Sequence, residues 1–256
     1  MLKICPLIDL FFTDDDLATR AAKIADCGYS YVETWLGADA SKLKQINNAG
    51  IQLVSIVMNF ATDAPVAPIN PENRKRFLER MDAMADSALA AGCRQGIVTA
   101  GQCVEGLCYQ TQRASLVESL AEAGDMLSKR GFSMNLEPLN TEVDHAGYFL
   151  SSPIEGMAIV KEVGLDNVKM LYDIYHMTIM TGNQFEFITH NLPRIGHFHV
   201  AGVPGRHEPK KGETNYPFIL QGIEQGGYDG YVGLEYFPLL ESRASLLQTR
   251  EYFGLC

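Results

Sequence analysis

The sequence has few basic residues and lacks any apolar segment long enough to cross a membrane. Its 21 lysines and arginines stand against 31 aspartates and glutamates, which gives a formal net charge of −10 at pH 7. Such a charge repels the phosphate backbone of nucleic acids, so we expect no nucleic-acid partner. No stretch reaches the ~18 uncharged apolar residues of a membrane span, so we expect no membrane partner either.

Paired cysteine motifs are also missing. The six cysteines lie at positions 5, 27, 93, 103, 108 and 256, and none of them forms a C-x-x-C motif. A disulfide framework or a zinc knuckle would require a better-matched spacing. The first residues, MLKICPLIDLFF, contain one lysine and no small-residue cleavage site, which predicts a first strand rather than a signal peptide. We therefore expect reduced thiols and a cytoplasmic location.

Short β-rich segments alternate with longer segments of helical periodicity along the chain. The predicted strands are Lys3–Ile8, Tyr29–Thr34, Gln52–Met58, Gln95–Ala100, Ser133–Glu137, Val168–Asp173, Ile195–Val200 and Tyr231–Glu235. Eight strand–helix units predict an α/β fold, a single (β/α)8 TIM barrel over residues 1–256. A doubly wound sheet is the alternative, but no G-x-G-x-x-G follows the first strand.

The last four predicted strands each end in a residue that can bind a metal. Side chains of a barrel strand alternate between the lumen and the helix layer, and chemistry collects at the carboxyl-terminal end. This alternation places Glu137, Asp173, His199 and Glu235 on the lumen side of four consecutive strands. A single carboxylate at a strand end can equally anchor a loop or cap a helix. Four such residues at comparable depth favour a common site.

One divalent metal ion is expected among these side chains. Three carboxylates placed together repel each other unless a cation lies between them. With one imidazole they form an oxygen-rich set that suits Mg²⁺ or Mn²⁺, with Co²⁺ or Zn²⁺ as alternatives. His197 lies one layer deeper than His199 on the same strand. It is predicted to be a hydrogen-bonded core residue, with support of the metal ligands as the alternative.

Four segments resemble the hydroxypyruvate isomerase family, which belongs to the xylose isomerase-like barrels together with ketose 3-epimerases and apurinic endonucleases. They are NLEPLN (135–140), YDIYHM (172–177), GHFHVAGVPGRHEPKKGETNYP (196–217) and GYDGYVGLEYFP (227–238). The resemblance implies a xylose isomerase-like TIM barrel with a metal held by Glu137, Asp173, His199 and Glu235. It also implies that Glu137 and Glu235 serve as proton acceptor and proton donor.

The activity implied by the resemblance is isomerisation of a small hydroxy-keto acid, namely hydroxypyruvate to tartronate semialdehyde or a related 2-oxo sugar acid. Proton transfer between the two glutamates through an enediolate would move the carbonyl by one carbon. The family usually has glutamine where this chain has His199, whereas 3-epimerases have histidine, so a ketose or keto-acid 3-epimerase is the alternative. An apurinic endonuclease would require a histidine-rich site and a basic face, and a non-catalytic binding protein would not need both glutamates.

Two residues beyond the strand ends are predicted to bind the substrate. His176 would hydrogen-bond a carbonyl or hydroxyl oxygen, with a solvated loop histidine as the alternative. Arg206, in the loop after the seventh strand, would bind a substrate carboxylate through two parallel hydrogen bonds. The alternative for Arg206 is an ion pair with Glu208 or Glu213 that braces the loop.

The remaining expectations concern the pocket and the partners. Glu33, Trp35 and Asn59 are predicted to be pocket walls, with structural roles as the alternative. The expected partner is a small-molecule sugar acid or ketose substrate. The sequence is compatible with both a monomer and a homo-oligomer.

Overall fold

Eight parallel strands form a nearly closed barrel in the structure, a computed structural model that describes residues 2–37, 39–59 and 66–255. The strands are β1 (Lys3–Pro6), β2 (Tyr31–Thr34), β3 (Gln52–Val57), β4 (Gln95–Thr99), β5 (Ser133–Glu137), β6 (Val168–Asp173), β7 (Ile195–Val200) and β8 (Tyr231–Leu234). Their order in the sheet is β1-β8-β7-β6-β5-β4-β3-β2. A parallel bridge between Leu7 and Glu33 joins the two ends of this sheet.

The predicted barrel is confirmed, with small shifts at some strand ends. β5, β6 and β7 have the predicted bounds, whereas β1 ends at Pro6, β2 begins at Tyr31 and β8 ends at Leu234. Glu235 therefore follows β8 directly instead of ending it. The doubly wound alternative is wrong because β1 pairs with β8 along its whole length, as barrel closure requires.

The helices among the described residues lie between the strands and after β8. They are α1 (Leu17–Asp26), α2 (Ala40–Asn48), α3 (Arg74–Ala90), α4 (Tyr109–Ser128), α5 (Pro153–Val163), α6 (Ile174–Met180), α7 (Gln184–Asn191), α8 (Tyr216–Gln225) and α9 (Ser242–Tyr252). Polar caps begin several of them, as when Asp16 accepts the N–H of Thr19 at 2.8 Å. None of the helices in this part of the chain is both long and apolar enough to span a bilayer.

The two faces of the strands pack into different layers. Outward-facing side chains such as Met134, Met170 and Phe198 are fully buried in the large core between sheet and helices. Inward-facing Val57, Ile97 and Leu171 form a separate small cluster in the lumen. This separation confirms the predicted alternation of side chains. It also leaves the polar lumen side chains buried, so that each requires a hydrogen-bond partner or a compensating charge.

The cysteines agree with the expectation of reduced thiols. Those that the structure describes are all free: Cys5, Cys27 and Cys93 are buried, and Cys103 and Cys108 are exposed. The last cysteine, at position 256, lies outside the described residues.

Candidate active site

Three carboxylates, which we call the acid cluster, meet at the carboxyl-terminal end of the barrel. Glu137 ends β5, Asp173 ends β6 and caps α6, and Glu235 follows β8. One oxygen of each lies within 4.8 Å of the others and of a ring nitrogen of His176. All of them are buried, and the most exposed, Glu235, has 7% of its surface accessible. The structure thus brings the three predicted acids together.

His199 on β7 lies beside the same cluster. Its Nδ1 is 3.0 Å from Glu235 Oε2, 3.5 Å from Glu137 Oε1 and 3.9 Å from Asp173 Oδ2. Its Nε2 faces the opposite way and lies 3.2 Å from Glu33 Oε1. Each ring nitrogen of His199 therefore faces at least one carboxylate. All four residues that were predicted to bind the metal lie in one site.

Arg206 also points into this site. Its guanidinium forms an ion pair with Glu235 Oε2 and lies 3.8 Å from Asp173 Oδ2. The same group stacks on the ring of Tyr175, with 5.2 Å between the guanidinium carbon and the ring centre. The alternative of an ion pair with Glu208 or Glu213 is wrong, because the loop turns the Arg206 side chain inward, where 13% of it is exposed.

Glu208 stabilises the loop by a different set of contacts. It is fully buried, and its Oε1 accepts the backbone N–H groups of Leu239 and Leu240, each at 3.0 Å, and the hydroxyl of Ser245 at 3.1 Å. Glu208→Ala would remove the charged acceptor that the two part-buried backbone N–H groups and the Ser245 hydroxyl share. We therefore expect the free energy of unfolding to fall by about 3 kcal/mol, measured by urea denaturation.

The matched control for this stability prediction is Glu213→Ala. Glu213 belongs to the same loop but is exposed, so its loss should change the free energy of unfolding by no more than about 0.5 kcal/mol. Equal stability of the Glu208→Ala variant and the unsubstituted protein would contradict the role assigned to Glu208.

Burial and neighbouring charges shift the pKa values of the acid cluster in different directions. Burial raises the pKa of Asp173 to about 7, although His199 and Arg206 oppose the shift. Burial also raises the pKa of Glu137. Glu235 is buried as well, but the charges of Arg206 and His199 outweigh burial and hold its pKa well below the usual range. Without a metal, Glu235 is thus the member most firmly kept as a carboxylate.

His199 takes part in this charge balance. Burial alone would lower the pKa of His199, but the carboxylates of Glu33 and Glu235 raise it well above its usual value. In the metal-free protein an imidazolium at His199 thus neutralises part of the acid cluster. Binding of a cation through this ring requires loss of a proton, as for metal-ligating histidines in general.

His176 is a buried neutral histidine whose tautomer follows from Asn140. The side-chain oxygen of Asn140 accepts the N–H groups of Val143 at 3.1 Å and Asp144 at 2.9 Å. The amide nitrogen of Asn140 must therefore face Asp144 and His176 Nδ1, and its distance to Nδ1 is 2.6 Å. Nδ1 is then an acceptor and Nε2 carries the proton. Burial and Arg206 lower the pKa of His176 well below its usual value, which keeps the ring neutral.

The position of His176 excludes a solvated loop residue and favours a role in binding the substrate. A solvated loop histidine is wrong, because the residue is fully buried in the first turn of α6. Its Nε2 lies at the acid cluster without a hydrogen-bond partner among the described residues. A protonated ring nitrogen is a donor and not a metal ligand. His176 is thus placed to donate a hydrogen bond to an oxygen bound at the cluster.

The donor set fits a divalent cation. Glu137 Oε1 and His199 Nδ1 are buried at the cluster, and neither makes a hydrogen bond to a described residue. A cation bound by Glu137, Asp173, Glu235 and Nδ1 of His199 would satisfy these atoms and offset the repulsion among the acids. Carboxylate oxygens with one imidazole match the preference of Mn²⁺ or Mg²⁺.

Of the predicted pocket walls, Trp35 lies at the site, whereas Asn59 has a structural role. Trp35, which is 36% exposed, donates its indole N–H to Glu235 Oε1 at 3.0 Å and therefore lies at the opening of the site. Asn59 is structural: it accepts the N–H of Thr99 at 2.9 Å and donates to the carbonyl of Thr99 at 2.7 Å. These bonds tie the ends of β3 and β4 together.

Several residues near the site were not predicted from the sequence. Asn140 and Tyr175 lie within segments that carry the family resemblance, so their position next to named site residues was an available signal. Tyr148 had no such signal. Its hydroxyl accepts the N–H of Ala100 at 2.6 Å and donates to the backbone carbonyl of Glu137 at 3.0 Å. This contact depends on how the loop after β5 folds back over β4.

Comparisons with known proteins agree with the barrel fold and indicate the family. A family model described as xylose isomerase-like TIM barrel matches residues 21–252. The 2-oxo-tetronate isomerase of Cupriavidus necator is 41% identical over 142 residues, which is 56% of this chain and 54% of that protein. The hydroxypyruvate isomerase of Escherichia coli K12 is 31% identical over 96% of this chain and 97% of that protein.

A solved structure is similar over nearly the whole chain. The crystal structure of an AP endonuclease, family 2, from Brucella melitensis has a TM-score of 0.91 and 28% identity, and covers 98% of this chain and 99% of that one. The family match spans most of the barrel, and the relative from Escherichia coli extends over almost its full length. The chain therefore belongs to the xylose isomerase-like TIM barrels and, within them, to the hydroxypyruvate isomerase family of isomerases.

Proposed function

We propose that the protein is a metal-dependent isomerase of a small 2-oxo acid with a hydroxyl group on the neighbouring carbon, such as hydroxypyruvate or 2-oxo-tetronate. Both compounds appear in the names of its relatives. The observation that carries the proposal is the pairing of Glu137 and Glu235. These buried acids lie at the ends of two separate strands, β5 and β8, and one oxygen of each lies within 4.8 Å of the other.

The metal would be held by Glu137, Asp173, Glu235 and Nδ1 of His199. When bound there, a divalent ion polarises a carbonyl and offsets the negative charge that develops on the substrate. Mn²⁺ or Mg²⁺ suits this set of ligands, with Co²⁺ or Zn²⁺ as alternatives.

The side chains of the site divide the remaining work. One of Glu137 and Glu235 removes the proton from the hydroxyl-bearing carbon, and the other returns a proton to the adjacent carbon, while the hydroxyl proton passes to the former carbonyl oxygen. His176 donates a hydrogen bond from its Nε2–H group to the substrate oxygen on which charge accumulates. Arg206 lies beside Glu235 in the site, and its guanidinium would exchange part of this ion pair for the substrate carboxylate.

A substrate panel with metal-stripped and metal-restored protein tests this proposal. We expect turnover of hydroxypyruvate or 2-oxo-tetronate with Mn²⁺ or Mg²⁺, none after treatment with EDTA, and recovery when the ion is returned. Product analysis by NMR would show the carbonyl moved by one carbon. Turnover that survives complete removal of metal would contradict the proposal.

A 3-epimerase is the second candidate, and His199 is the residue that favours it. In an epimerase both glutamates would act on one carbon from opposite faces, so the configuration would invert without movement of the carbonyl. Ketoses therefore belong in the panel, together with an oligonucleotide that contains an abasic site. Faster epimerisation of a ketose than isomerisation of either acid would favour this candidate, and cleavage of the oligonucleotide would favour an endonuclease.

A further inference from the structure

Glu33 connects both histidines of β7 from the other side of the lumen. It lies on β2 and only 1% of its surface is exposed. Its Oε2 accepts a hydrogen bond from His197 Nε2 at 2.7 Å, and its Oε1 is 3.2 Å from His199 Nε2. His197 Nδ1 in turn lies 3.2 Å from the side-chain amide nitrogen of Gln95 on β4. Glu33 was predicted to be a pocket wall, but it lies in the interior of the barrel.

A glycine on β8 allows Glu33 to reach β7. β2 and β7 are not neighbours, because β1 and β8 lie between them in the barrel. A Cβ atom at Gly233 would clash with Glu33 Oε1 and lie 2.6 Å from His199 Cδ2. The bare backbone at this position therefore leaves room for the carboxylate and the imidazole to meet.

Carboxylates lie next to both ring nitrogens of His199, but a cation bound at the acid cluster would occupy the Nδ1 side and leave Glu33 as the carboxylate next to Nε2. A carboxylate next to one ring nitrogen favours the tautomer with the proton on that nitrogen. With the proton on Nε2, the lone pair of His199 lies on Nδ1, the atom within 3.9 Å of all three acids. Carboxylates that orient metal-binding histidines in this way change the affinity for the metal without touching it.

We propose that Glu33 is a positioning residue that orients His199 and holds its proton on Nε2, so that Nδ1 is available to the divalent ion. This inference rests on the proposed metal-dependent function. The competing arrangement is a metal held by Glu33 itself, because Cys5 Sγ lies within 4.8 Å of ligand atoms of Glu33 and His197. The two arrangements differ in the number of ions bound and in whether Glu33 acts as a ligand.

The test is a titration of the metal-free full chain with Mn²⁺, followed by electron paramagnetic resonance of the free ion. We expect one bound ion in the unsubstituted protein and a dissociation constant about 10- to 100-fold higher in Glu33→Gln. Tyr228→Phe is the matched control. It removes part-buried hydrogen bonds to the carbonyls of Gly196 and Tyr231, away from the acid cluster, and should leave the dissociation constant unchanged.

A second measurement does not depend on the folding of a variant. In the unsubstituted protein loaded with Mg²⁺, nitrogen-15 NMR of the histidine side chains should show the His199 proton on Nε2 and none on Nδ1. A proton on Nδ1, or equal Mn²⁺ affinity of Glu33→Gln and the unsubstituted protein, would overturn the inference alone. Two bound ions would overturn it in favour of Glu33 as a ligand. Failure of the unsubstituted protein to bind any ion would remove the proposed function as well.

Discussion

Glu137→Gln and Glu235→Gln are each expected to lower kcat on the keto-acid substrate by about 10³-fold while the protein stays folded. An amide of the same shape neither takes up nor returns a proton at neutral pH. Its oxygen remains a weaker ligand for a cation, so Mn²⁺ affinity should fall much less than kcat. Steady-state kinetics at saturating Mn²⁺, with circular dichroism to verify folding, measures the effect.

Deuterium exchange separates the two glutamates in this experiment. In D₂O, the variant that lacks the base should no longer exchange the proton on the hydroxyl-bearing carbon, whereas the variant that lacks the acid should keep exchange without product formation. Glu241→Gln is the control and should leave kcat unchanged. Glu241 is close to Glu235 in the sequence, but it is exposed and only caps the amino-terminal end of α9. A normal kcat in either active-site variant would refute the proposed proton transfer.

Asn140→Asp is expected to lower kcat by about 10²-fold, the usual loss when one donor to the developing charge is removed. The aspartate would still accept the N–H groups of Val143 and Asp144, so the loop conformation is retained. Its side chain would no longer donate to His176 Nδ1. The backbone N–H of residue 140 lies 3.3 Å from the same nitrogen, but the closer carboxylate oxygen would outweigh it and draw the His176 proton to Nδ1. Nε2 would then face the substrate oxygen without a hydrogen.

Two variants of Asp144 separate this tautomer effect from the added charge. Asp144→Asn alone keeps an acceptor oxygen for Asn140 and Tyr175 and should retain nearly normal kcat. The double variant Asn140→Asp, Asp144→Asn restores the charge of the loop but not the donor, so it should be as slow as Asn140→Asp. Recovery of kcat in the double variant would show that charge, and not the tautomer of His176, caused the loss.

The barrel and the common location of the acid cluster were predicted from the alternation of polar and apolar residues along the sequence. In β5, and at the carboxyl-terminal ends of β6 and β7, polar lumen side chains alternate with apolar outer ones, so the strand bounds and the orientation of these side chains were readable. Parallel strands present all their carboxyl-terminal ends at the same end of a barrel, and for this reason Glu137, Asp173 and His199 had to lie near each other. The end of β1 was misplaced because the apolar run of the sequence continues beyond the strand into a 3₁₀ helix at Ile8–Leu10.

Contacts across the lumen and between loops were decided by the tertiary structure alone. The pairing of Arg206 with Glu235 instead of Glu208 depends on how a long loop returns over the barrel. The reach of Glu33 to β7 depends on barrel closure and on Gly233, and the tautomer of His176 depends on the amide orientation of Asn140. The sequence by itself determined the face on which each side chain lies, because periodicity is a local property. Which partner each one meets is set by distances between residues far apart in the chain, and those exist only once the barrel has closed.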